Sequence, residues 1–151
     1  MKKLILITPL ILIVFGLKAM AVVIPGCYVK TVDKTYFGVK LKTGLLKMEI
    51  IADDGSVVKV PINEVNSYTN GKSYFELLPT VDKNYKTNGY AMMELVKTYN
   101  ELRLYRCLNY DAGTPFYDYY VFKKDCFHLL LDKKSAPTVL SLFGLETIVE
   151  L

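Results

Sequence analysis

The stretch Leu102 to Asp132, LRLYRCLNYDAGTPFYDYYVFKKDCFHLLLD, restricts the fold more than any other part of the chain. Leu102 to Tyr110, Phe116 to Lys123 and Cys126 to Asp132 are dense in aromatic and branched side chains, which suit a pleated, half-buried surface. The turn-prone loop Asp111 to Pro115 parts the first two runs, and Lys124-Asp125 parts the last two. Three strands in sequence order with short connections read as an antiparallel meander. Side chains alternate across a strand, so Leu102, Leu104 and Leu108 share a face, as do Phe127, Leu129 and Leu131.

The upstream residues repeat the pattern. Tyr28 to Val32 and Thr35 to Lys42 read as strands separated by Asp33-Lys34. Leu45 to Ala52 and Val57 to Ile62 flank Asp53-Asp54-Gly55-Ser56, while Val65 to Tyr68 and Ser73 to Leu78 flank Thr69-Asn70-Gly71-Lys72. Asp-Gly and Asn-Gly supply the left-handed backbone positions of tight hairpins. Pro79 ends the last of these runs, and Thr80 to Gly89 reads as a polar, mobile connector.

Tyr90 to Tyr99 admits two readings. Ala91-Met92-Met93-Glu94-Leu95 favours a helix by propensity, whereas its place before another strand across Asn100-Glu101 favours a hairpin arm, the preferred reading. Ser135-Ala136-Pro137 is a helix-start signal with Ser135 as cap; Thr138 to Phe143 then forms a short helix stopped by Gly144, and Leu145 to Leu151 alternates as a last strand. The expected fold is mainly β: an antiparallel meander forming a curved sheet or small open barrel, with a short C-terminal helix, in a single domain over residues 22–151.

The N-terminus carries an address. Met1-Lys2-Lys3 is basic, Leu4 to Leu17 is an apolar run, and Lys18 precedes the small-residue triplet Ala19-Met20-Ala21. This is the pattern of a secretory signal peptide over residues 1–21, its apolar core of about 14 residues being shorter than the roughly 17–25 of a membrane-spanning helix. Ile24-Pro25-Gly26-Cys27 offers a competing lipoprotein reading in which Cys27 is acylated, but Pro25 stands where a small or branched residue is usual. Export to the periplasm or the exterior is expected, with membrane attachment only through a lipidated Cys27 or a retained leader.

Cleavage after Ala21 removes Lys2, Lys3 and Lys18 and no acid, so 16 of the 19 basic side chains remain against 15 acids. The sequence pI of 8.8 therefore reflects targeting, and no nucleic-acid partner is expected. In an oxidising compartment Cys27, Cys107 and Cys126 allow one disulfide and one free or lipidated thiol, with the connectivity open.

Four segments, Met92-Met93-Glu94-Leu95-Val96, Leu102-Arg103-Leu104-Tyr105, Tyr119-Tyr120-Val121-Phe122-Lys123 and Phe127-His128-Leu129-Leu130, occur in that order. The arrangement resembles uncharacterised exported β-meander proteins of Gram-negative bacteria over about residues 55–143, with Asn100-Glu101 in place of a glycine turn. The resemblance implies an address and an architecture. It assigns no catalytic residue.

Candidate chemistry is sparse. His128, the sole histidine, lies two residues from Cys126, but side chains so spaced on a strand stand side by side, about 7 Å apart at the backbone, rather than as nucleophile and base. Zinc needs more closely paired ligands than Cys126 and His128 provide. Asp53 and Asp54 are turn formers, and no catalytic residue, metal or cofactor is assigned. The remaining signal is tyrosine: twelve in all, with Tyr105, Tyr117, Tyr119 and Tyr120 as candidate binding residues, since tyrosine is enriched in recognition surfaces. Tyr119 and Tyr120 are consecutive and must face opposite sides. The expected function is an exported, non-enzymatic binding or interaction domain for a protein or envelope component. Contact is expected through a sheet face or through the Thr80 to Gly89 and Asp111 to Pro115 loops. The alternative is a small β-barrel carrier of an apolar ligand.

Overall fold

The computed structural model describes residues 26–82, 84–132 and 135–145. The expected signal peptide lies outside these residues, as does the expected last strand beyond Leu145. In chain order the strands are β1 (Cys27–Lys30), β2 (Thr35–Gly38), β3 (Lys40–Thr43), β4 (Lys47–Ile51), β5 (Val57–Pro61), β6 (Ser67–Thr69), β7 (Tyr74–Val81), β8 (Thr87–Tyr99), β9 (Leu102–Asp111), β10 (Thr114–Lys123) and β11 (Cys126–Leu130), followed by helix α1 (Ala136–Leu142). A single turn of 3-10 helix, Ile62–Glu64, links β5 to β6.

The meander holds, and it is longer than its C-terminal third. β6 to β11 are neighbours in sequence order, and β1 and β2 extend the sheet beyond β6, giving eight antiparallel strands in the order β11-β10-β9-β8-β7-β6-β1-β2. The sheet curls into a half-barrel. β3, β4 and β5 form a separate antiparallel sheet. Tyr90 to Tyr99 is strand, the second part of the long β8.

Four expectations need correction. Thr35 to Lys42 is not one strand: it breaks at Val39, so that β2 belongs to the large sheet and β3 to the small one. Gly38 makes the break feasible, because a Cβ there would lie 2.5 Å from the Ile51 carbonyl oxygen. Pro79 does not end its strand, and the supposed connector Thr80 to Gly89 is half strand, its first two residues in β7 and its last three in β8, with Pro79 opposite Tyr90 and Thr80 opposite Gly89. The Leu77 amide donates to the Asn66 carbonyl, so the Pro79 nitrogen, two residues on, points along the same edge beyond the end of β6, where no donor is required.

Likewise Asp111 to Pro115 is not an open loop. Asp111 pairs with Thr114 around a two-residue Ala112-Gly113 turn, with φ of 47° and 86°. Pro115, opposite Tyr110, turns its nitrogen away from β9 toward an edge that β11 does not reach, since β11 pairs only from Tyr120 to Lys123. Finally, Ser135 does not cap α1. Its backbone is helical, at φ −83° and ψ −28°, and the Asp132 carboxylate accepts from both the Ser135 amide and its hydroxyl.

Three apolar clusters hold the layers together. On one face of the large sheet Leu78, Val81, Met93, Tyr105, Cys107, Tyr120 and Phe122 are buried among themselves, with Phe127 and Leu130 beside them. These residues all come from the sheet, so its curl does the covering. On the opposite face Leu104, Tyr119, Val121 and Leu131 are buried beneath Ala136, Leu140 and Phe143 of the α1 region. The third cluster joins Cys27, Val29 and Val65 to Met48, Ile50 and Val60 of the small sheet. Each fully buried large apolar side chain contributes roughly 1.5–3 kcal/mol.

Candidate interaction surface

Of the four candidate tyrosines the fold buries three. Tyr105 and Tyr120 lie inside the curl, and Tyr119 lies beneath the helix. They pack the sheet and offer no contact area. Tyr117, 37% exposed, stays at the surface.

Around Tyr105 the inner face carries a polar bracket. Its hydroxyl donates to Glu76 Oε2 at 2.6 Å across the intervening β8, and the Arg103 guanidinium lies 3.5 Å from the same oxygen. Arg103 also donates to Asp125 Oδ1 at 2.8 Å and to the Lys124 carbonyl, tying the β10–β11 turn to β7. Burial, and then the hydrogen bond to Glu76, hold the Tyr105 phenol well above the usual tyrosine range. Tyr120 is pushed up to about 12 by burial and then by the charge of Asp118. Both are neutral phenols at physiological pH. Among the described residues no buried side-chain nitrogen or oxygen lacks a partner, so this face presents no polar group awaiting a ligand.

The exposed counterpart is the far end of the β9–β10 ribbon. Pairing of β8 with β9 ends at Glu94 opposite Arg106, and pairing of β11 with β10 ends at Leu130 opposite Tyr120. From Cys107 to Asp118 the two strands pair only with each other. Alternation places Leu108 and Tyr110 on one face of this free end, directly opposite Tyr117 and Pro115. Leu108 is 45% and Tyr110 67% exposed. At the base of the strip the Arg106 guanidinium stacks 4.7 Å over the Tyr117 ring and binds Glu94 Oε2 through Nε at 2.8 Å and Nη2 at 2.7 Å. Glu94 is itself fixed by a 2.7 Å hydrogen bond from Ser73. On the reverse face Asn109 donates to Asp118 at 2.6 Å, stiffening the ribbon.

Sequence reasoning nominated Tyr117 and placed Leu108 on the face of Leu102 and Leu104, as observed, but did not nominate Arg106 or Tyr110. The missing signal was reach. Beginning at the Lys124-Asp125 turn, the five residues of β11 can cover only the last few of the ten in β10. The remainder of the ribbon then stands free.

The other candidates remain apart. Cys27, Cys107 and Cys126 are all free thiols in this structure. Cys107 faces Asp118 inside the first cluster, whereas Cys126 is exposed on β11 with β10 between them. Cys27 is buried, and its thiol donates to the Gly38 carbonyl at 3.1 Å. Burial raises the pKa of Cys27, and burial followed by the Asp118 charge raises that of Cys107, so neither is a ready thiolate. His128 is exposed on the edge strand beside Cys126. Among the described residues no group of three or more His, Cys, Asp or Glu is placed to hold a metal, and no helix is long and apolar enough to cross a membrane. Comparison with family models, with curated proteins and with solved structures finds no match to this chain.

Proposed function

We propose that this is an exported, non-enzymatic interaction domain that contacts a protein of the cell envelope through the free end of the β9–β10 ribbon. One observation carries the reading: Leu108, Tyr110 and Tyr117 stand exposed on one face of a ribbon stiffened by its own cross-strand bonds, with Arg106 stacked at its base. Tyrosine and arginine dominate the energetics of protein interfaces, and a pre-formed ribbon loses little entropy on docking. Export rests on the leader-like N-terminal sequence. The carrier alternative finds less support, because the space inside the curl is taken by rings in edge contact, Tyr105 with Phe122 at 5.6 Å and Phe122 with Phe127 at 5.9 Å.

A photo-crosslinking residue placed at Tyr110 in the producing cell tests this reading. It should yield a discrete protein adduct that Tyr117→Ser diminishes, while the same residue at the exposed Val57 yields none. Equal adducts from both positions, or none from Tyr110, would count against the ribbon as a contact surface.

A further inference from the structure

The small sheet bears a second exposed feature, independent of the ribbon. Between β3 and β4 the chain turns through Gly44, Leu45 and Leu46, with the Gly44 amide bound to the Lys47 carbonyl at 3.0 Å. Leu45 is 96% and Leu46 83% exposed, so both side chains stand almost wholly in water. Their backbone is nonetheless anchored, because the Ile62 amide donates to the Leu46 carbonyl at 3.0 Å. Two adjacent leucines held outward on a fixed turn make a small apolar tip.

The charges around the tip are of one predominant sign. Pairing registers place Lys42, Lys47 and Lys59 on the outer face of the small sheet, with Lys42 and Lys59 flanking Glu49, while Lys40, opposite Ile51, shares that face at the end away from the leucines. All four are exposed, and Glu49 is the one acid among them, 3.3 Å from Lys47. Glu64 lies in the neighbouring 3-10 turn. Asp53 and Asp54 sit in the β4–β5 turn, at the end of the sheet away from the leucines and toward Lys40, so the collar proper is Lys42, Lys47 and Lys59.

We propose that the Leu45-Leu46 tip, with its lysine collar, docks this protein on an anionic lipid bilayer surface. The two leucines enter the headgroup region while the lysines remain at the level of the lipid phosphates, a division that matches apolar tip to hydrocarbon and basic collar to negative surface. A protein partner fits the feature less well, because a stable interface buries about 800 Å² on each side, and a convex tip of two side chains presents far less. Membrane contact then requires neither an acyl chain on Cys27 nor a spanning segment.

Tryptophan provides the test, since the chain contains none. Leu46→Trp, made in the full chain as recovered from the producing cell, places a single reporter on the tip. Its emission should shift to the blue with vesicles of phosphatidylcholine and phosphatidylglycerol, and much less with phosphatidylcholine alone. Added salt should reverse the shift. In sedimentation with the same anionic vesicles, Leu45→Ser with Leu46→Ser should weaken binding at least about tenfold by removing the inserted apolar surface. Lys42→Glu with Lys47→Glu should weaken it about tenfold or more. All variants share one N-terminus, so a contribution from the leader cancels in the comparison. Unchanged emission on adding anionic vesicles, or binding indifferent to both double substitutions, overturns the proposal. A blue shift that grows with protein concentration in the absence of vesicles overturns it too, by identifying a second copy of the chain as the occupant.

Discussion

At the base of the β9–β10 ribbon Tyr105, Tyr119 and Tyr120 are buried, whereas at its free end Tyr110 and Tyr117 meet solvent, although all five lie on strands of similar composition. The difference comes from the neighbours. β8 and β11 flank the base, and the curl and the α1 region cover its two faces; neither flanking strand pairs with the ribbon along its last turn-ward stretch. A tyrosine on a strand is therefore buried or exposed according to how far the adjacent strands reach.

The sharpest way to break this comparison is to truncate one ring at each end. Phe122→Ala, at a fully buried site, should lower unfolding stability by about 3–5 kcal/mol in urea titrations. Tyr110→Ala should stay within about 0.5 kcal/mol of the parent. Equal losses would mean that the free end is packed in solution and not free.

A smaller change sharpens the account of the base. Tyr105→Phe keeps the ring and deletes the hydroxyl that binds Glu76, and should cost about 1–2 kcal/mol, because Arg103 still partners the carboxylate. The same hydroxyl makes stability depend on alkali. The folded-state pKa values of Tyr105 and Tyr120 lie above the ordinary value near 10, so the folded state holds these protons more tightly than the unfolded chain. Their contribution is complete below about pH 10 and is lost as the pH rises toward the folded-state values. Urea midpoints measured on either side of pH 10 should fall with rising pH, and Tyr105→Phe should flatten the decline.

The smallest effect belongs at the boundary between the two ends. Arg106→Lys forfeits the two-nitrogen contact with Glu94 and the flat stack on Tyr117, yet the group is partly exposed, so its stability cost should be under about 1 kcal/mol. If Arg106 positions the contact face, the Tyr110 crosslink should weaken by a larger factor than the melting point suggests.

What could be read in the sequence was local. Asn70-Gly71, Asp54-Gly55 and the alternating runs that they separate identify hairpins, and the order of those hairpins gives a curved antiparallel sheet with its short helix. What could not be read depended on distant parts of the chain. Nothing near Pro79 or Pro115 reveals that the neighbouring strand ends just short of it, and so Pro79 looked like a stop and Pro115 like the end of a loop. Gly38 looked like any strand glycine until the β4 backbone came within contact of it. Leu45 and Leu46 read as the start of a strand, because the turn that turns them outward is fixed by Lys47 and by the later Ile62.

The two misread prolines bear on how this protein survives at high concentration. A bare strand edge offers its amides and carbonyls to any other chain, and a flat ribbon exposed on both sides is a template for edge-to-edge growth. Pro115 on the open side of β10 and Pro79 on the open side of β7 each delete a donor from such an edge and set a ring in the path of an incoming strand. The chain thus leaves an aromatic ribbon in solvent while withholding part of the backbone pattern from which fibrils grow.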